Sequence, residues 1–184
     1  MEQALVLASI VLGVAIAFEL EHLNKVLRAT NVKWHWAQPA FALLVLLSMV
    51  AFWWGAAANA EGSISLGQFL PIMFQLIMLA LMAAVSFPDT IPEEGLDLAE
   101  YYQENRRYQW TLMSLYFWSI TIGFLYRTSQ ATDSFSTFAL SVGPDTVAGL
   151  VVIAMIFLRK WWQVAVGFAF LSFGPAVWVF RVIN

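Results

Sequence analysis

Long apolar runs separated by brief polar breaks leave this chain few ways to fold in water. The first run sets the pattern: of the fourteen residues from Ala4 to Ala17, twelve are apolar, with Ser9 and Gly13 the exceptions. Each run approaches the roughly 20 residues that cross a hydrocarbon layer about 30 Å thick. Composition points the same way. Charged residues make up 11% of the chain and hydrophobic ones 61%, with a mean hydropathy of +0.73, whereas a soluble domain carries about 25% charged residues. The expected fold is therefore all-α: a polytopic integral membrane protein, a bundle of six transmembrane helices in one transmembrane domain over 1–184. The spans are placed at 4–27, 36–58, 67–87, 106–127, 144–159 and 162–181. The opening "MEQALVL" lacks the positive n-region of a cleaved leader, so the first run is read as a retained helix.

Basic residues give an expected orientation. Lys25, Arg28, Lys33, Arg106, Arg107, Arg159 and Lys160 fall on one side of the proposed spans, and only Arg127 and Arg181 on the other. Positively charged loops stay in the cytoplasm, which places both termini on the non-cytoplasmic side of the membrane. The tryptophans match this map. Trp34, Trp36, Trp110, Trp161 and Trp162 fall at one boundary, Trp53, Trp54 and Trp178 at the other, and Trp118 alone at mid-depth. Indole rings favour the headgroup level. "KWHWAQPAFA", "RRYQWTLM" and "RKWWQVAVGFA" open the three returning helices alike; this is the pattern of a repeat, but also what any such boundary selects.

The first span ends in "FELEHLNKVLR". Glu21 and Lys25 are i,i+4 neighbours suited to a wet turn. Glu19 and His22 instead share a stripe with Ala8, Leu12, Ala15 and Val26. Glu19 lies about 9 Å, at 1.5 Å per residue, inside the end of its helix. A carboxylate at that depth faces protein, water or a partner, which suggests a proton- or cation-coordinating site at the inner mouth of a pathway with His22 as its partner. The structural alternative is a tether to a neighbouring helix. Ser9, Gly13 and Ala17 form a small-residue ridge expected to pack between helices.

Other polar residues are sparse. Gln68, Gln75, Met82 and Ser86 form a stripe in span three, and Thr111, Ser114, Trp118 and Thr121 one in span four. Such stripes line aqueous routes or join helices by hydrogen bonds. Gly143-Pro144-Asp145 marks span five. Pro suits a first helical position and Asp a first turn, so the preferred reading starts the helix at Pro144. A helix broken there, with Asp145 facing an ion or substrate, is the alternative. Residues 128–143 then form an outer loop.

The loop "FPDTIPEEGLDLAEYYQENRR" carries Asp89, Glu93, Glu94, Asp97, Glu100 and Glu104. Asp97 and Glu100 have the spacing of an N-cap and its N3 partner, which predicts a helix from about Leu98. The remaining acids read as a solvated loop, as a docking surface for a cytoplasmic protein partner, or as a cation-attracting vestibule. His22 and His35 are the only histidines and sit at unlike depths, so no haem or metal site is expected; the lack of cysteine removes thiolate ligands. No cofactor, nucleophile motif, phosphate-cradling loop or basic nucleic-acid face is expected either.

A polar end to helix one, a short basic loop, aromatic pairs flanking helix two and an "FPD" acidic loop running into "YY…RR" recur together. In this the chain resembles small six-helix bacterial inner-membrane proteins of uncharacterised function. The resemblance implies location and fold, and no activity. Two functions are carried forward, neither enzymatic. One is a homo-oligomeric channel or transporter for a small ion or polar solute, using Glu19, His22, Gln75, Thr111, Ser114, Thr121 and Asp145. The other is a non-conducting membrane subunit holding a partner through Glu93, Glu94, Asp97, Glu100 and Glu104.

Overall fold

The computed structural model describes residues 2–58, 65–132 and 134–182. Within them the fold is all-α, with six helices: α1 (Glu2–Arg28), α2 (Ala37–Ala58), α3 (Leu66–Ser86), α4 (Leu98–Ala131), α5 (Phe135–Met155) and α6 (Trp161–Val182). Four of them, α1, α2, α3 and α5, are long and apolar enough to cross a membrane. Most of the expected second connection, 59–64, lies outside the described residues.

The chain divides into two compact units, 1–109 and 110–184. In the first, α1, α2 and α3 pack on one another. The stripe read from the sequence is the buried one: Ala8, Leu12, Ala15, Glu19, His22 and Val26 all face inward. Val6, Ile10, Val14 and Phe18 cover the opposite face of α1 and are exposed. The small-residue ridge does not pack as expected. Ser9, Gly13 and Ala17 are exposed, nothing approaches the place of a Gly13 side chain, and the Ser9 hydroxyl accepts from Trp53 Nε1 at 3.1 Å.

The α3 N-terminus is closed by a reciprocal cap. Ser65 Oγ accepts from the Gln68 amide at 3.3 Å, and Gln68 Oε1 accepts from the Ser65 amide at 3.0 Å. Gln68 therefore closes a helix end rather than extending a polar stripe.

At the other end of this unit a small clasp joins two connections. Val32–Lys33 (β1) pairs in parallel with Leu96–Asp97 (β2), and the Leu96 amide donates to Asn31 O at 2.9 Å. Gly95 makes the approach possible. Its φ is +105°, and a Cβ there would sit 2.7 Å from Asn31 O, so glycine alone fits. Asp97 then starts α4 as the spacing predicts: its Oδ1 accepts from the amides of Ala99 at 2.9 Å and Glu100 at 3.3 Å. Below the clasp Val26, Ala42, Phe87, Leu96 and Leu98 form an apolar cluster, joined by Leu23, Val32, Ile91 and Tyr101.

The second unit holds α4 from Trp110, with α5 and α6. Its packing is close. A Cβ on Gly149 would lie 2.8 Å from the Trp118 ring, and one on Gly167 would overlap the Met155 sulfur. Trp110 meets Phe168 edge-on at 5.3 Å. The main correction to the sequence reading falls here. α5 starts at Phe135, not Pro144, and runs through Gly143-Pro144-Asp145 without a break; the expected outer loop is largely helical, with α4 extending to Ala131. Proline forfeits one backbone hydrogen bond. The long apolar stretch on both sides of it keeps the helix going.

Candidate functional site

Glu19 is the centre of the site. Its residue is 1% exposed, and neither carboxyl oxygen has a hydrogen-bond partner among the described residues. The polar group beside it is the Ser86 side chain, on the last residue of α3. The Ser86 hydroxyl, however, sends its own proton to Met82 O at 2.9 Å. Among the described residues Glu19 has no ion pair. Arg106, the buried cation of this unit, donates from Nη1 to Gln103 Oε1 at 2.6 Å. A carboxylate buried without donor or counter-charge is strongly disfavoured. Chemically, then, the position calls for a proton or a cation.

Two glutamines close on the same end of α3. Gln38, from the first turn of α2, donates from Nε2 to Ser86 O. Gln109, on α4, donates from Nε2 to Val85 O at 3.0 Å. Tyr101 also donates to Val85 O, at 3.2 Å; burial, with the Asp89 carboxylate adding to it, pushes its phenol up to about 12, which keeps it a donor. Helix C-termini leave carbonyls without intrahelical partners, and these side chains supply them. Both amide oxygens, Gln38 Oε1 and Gln109 Oε1, stay buried and unpartnered.

His22 lies one turn beyond Glu19 on the same stripe. Its Nε2 meets Asp89 Oδ1 at 3.1 Å, and Asp89 is largely solvent-exposed. That contact fixes Nε2 as the protonated nitrogen, so the buried, unpartnered Nδ1 is a free lone pair in the neutral ring. Asp89, His22 and Glu19 thus run from solvent into the unit. His35 lies elsewhere. Burial holds its pKa below the ordinary value, against the pull of Asp97, and its Nδ1 accepts the Ala37 amide at 3.3 Å.

The other sequence-selected residues do not gather here. Gln75 lies eleven residues before Ser86 on α3, about 16 Å away at 1.5 Å per residue. In the second unit, Ser114 Oγ donates to Trp110 O at 2.7 Å and Thr121 Oγ1 to Phe117 O at 2.9 Å. Both hydroxyls are spent on their own helix. Thr111 and Asp145 are exposed. Of the acidic residues, Glu93, Glu94, Glu100 and Glu104 are exposed, while Asp97 is taken up by its cap and by Lys33 Nζ at 3.8 Å.

Sequence reasoning missed Gln38 and Gln109; it placed Asp89 in the acidic loop, without its pairing to His22. Glutamines in the first turn of an apolar helix, or beside an arginine pair, read as interfacial residues. Their signal is two amides placed where two helices meet the end of a third, which only the fold reveals. No family model, curated protein or solved structure matches the chain.

Proposed function

We propose that the chain is an integral membrane protein of six transmembrane helices that passes a small ion across a bacterial inner membrane, with Glu19 as the residue that handles it. The observation that carries this reading is a buried carboxyl whose two oxygens have no hydrogen-bond partner among the described residues. A purely structural tether would have a partner. Lipid contact is supported by the apolar residues left exposed on the outer face of α1, on α5 at Leu140 and Leu150, and on α6 at Trp162 and Val166, surfaces that are unfavourable in water. The clasp end, with Lys25, Arg28, Lys33 and Arg107, is read as cytoplasmic by the positive-inside rule. Both termini are then outside, and the protein works without catalysis, as a homo-oligomer.

Flux into liposomes tests this. Wild-type protein and Glu19→Gln, equally helical by circular dichroism, are compared for sodium, potassium and proton flux from pH 5 to 8. Flux is expected for wild type and is expected to fall about tenfold or more when the charge is removed from an ion's path. Equal flux in both proteins, or none above empty liposomes, rejects the reading.

A second reading has its own observation. The clasp displays the exposed carboxylates of Glu93, Glu94, Glu100 and Glu104 beside a fixed helix start, a surface suited to a basic cytoplasmic partner. Co-purification lost on replacing these four with glutamine, without any flux, favours this scaffold role.

A further inference from the structure

The unpartnered side-chain oxygens among the described residues of this unit can all accept: both carboxyl oxygens of Glu19, Gln38 Oε1 and Gln109 Oε1. The two amides cannot turn over to relieve this. Each Nε2 is held by a backbone carbonyl, Ser86 O for Gln38 and Val85 O for Gln109, and a flip would set oxygen against oxygen. The two carbonyls belong to adjacent residues, and Ser86 is also the side chain beside Glu19. Side chains from α1, α2 and α4 thus each meet one of the last two residues of α3, Glu19 beside the Ser86 side chain, Gln38 on Ser86 O and Gln109 on Val85 O.

A proton on Glu19 answers only part of this. The acid form has one O–H to give, and Ser86 Oγ can take it; both amide oxygens would still lack a donor. A metal cation satisfies several oxygens at once. Its charge follows from the ligands. One carboxylate and neutral amides balance a single positive charge, while a divalent ion would leave a buried excess. No group of three or more His, Cys, Asp or Glu side chains that could hold a metal ion occurs among the described residues, whereas calcium sites draw on several carboxylates. Hard oxygen ligands also disfavour the softer transition metals.

We propose that the C-terminal end of α3 is a binding site for a dehydrated monovalent metal cation of the sodium class, held by the Glu19 carboxylate, Gln38 Oε1 and Gln109 Oε1, with Ser86 Oγ at hand. Asp89, exposed and paired to His22 one turn away from Glu19, marks the solvent side from which the cation is attracted. This inference rests on the reading of Glu19 as an ion-handling residue, but it is a claim about binding and stands apart from transport.

The test is binding of radioactive sodium to the purified full-length protein in detergent, with lithium, potassium and choline chlorides as competitors at constant ionic strength. Saturable binding of one cation per chain, competed by lithium but not by choline, is expected. Glu19→Gln should weaken it about tenfold or more, because loss of even an outer partner of a metal ligand costs that much. Gln109→Met, which removes an amide oxygen and keeps the chain length, should weaken it comparably and serves if the first variant misfolds. Glu93→Gln, at an exposed carboxylate, should leave binding unchanged. Non-saturable binding, or equal binding in wild type and both site variants, overturns the proposal. So does a site that responds to pH while ignoring sodium. Saturable binding without flux upholds this site and rejects transport; Glu19-dependent flux without alkali-cation binding does the reverse.

Discussion

Ser114 and Thr121 on α4 and Glu19 on α1 are all buried polar side chains on apolar helices, and they meet burial in opposite ways. The two hydroxyls turn back to carbonyls of the preceding turn of their own helix. Such a group carries its partner with it and needs nothing from its neighbours. Glu19 has no such recourse. Its helix offers it no donor, α3 offers a hydroxyl already spent, and the glutamines that come near are fixed with their oxygens free. Polar residues in an apolar stripe thus divide by whether they can be satisfied locally. Those that cannot are the ones with a ligand to account for.

The sharpest way to break this comparison is Glu19→Leu. Replacing a buried polar group that lacks a partner by an apolar side chain removes a desolvation cost of about 1–3 kcal/mol. The variant should therefore melt no lower than wild type in sodium-free detergent, as followed by circular dichroism. A large loss of stability would mean that Glu19 is structurally satisfied after all. Gln38→Leu should behave in the opposite sense. It strands the Ser86 carbonyl, and an unmet buried acceptor costs about 1–3 kcal/mol, read as a lower denaturation midpoint. Asp97→Ala removes a cap made entirely within one helix start and should cost about 1 kcal/mol, with no effect on cation binding. Ser114→Ala should change the unfolding free energy least, by about 0.5 kcal/mol or less, since a back-bonded hydroxyl adds little to a helix. If it costs as much as Gln38→Leu, the distinction between self-satisfied and dependent groups fails.

The sequence made some of this legible and hid the rest. Helical periodicity exposed the α1 stripe, and Glu19 stood out because Ala8, Leu12, Ala15 and Val26 on that stripe are apolar. The cap at Asp97 was readable because capping is a local affair of three residues. By contrast, Gly143-Pro144 looked like a helix start. Local propensity there was overruled by the apolar residues from Phe135 onward, which keep the helix continuous. The clasp gave no warning, since a two-residue strand has no period to detect. Gln38, Gln109 and the pairing of Asp89 with His22 were hidden for a related reason. Their roles depend on which helix ends meet, and that information is spread along the chain.

The clasp also bears on the order in which the protein is made. β1 follows α1, but its partner β2 comes only after α2 and α3. Gln109 lies later still, on α4. While the chain emerges from the ribosome, the segments that carry Glu19, Gln38 and Ser86 are therefore complete before β2 and Gln109 exist. Docking of the returning strand against Asn31, which Gly95 permits, can only follow them, so the clasp ties together parts of the chain made at different times.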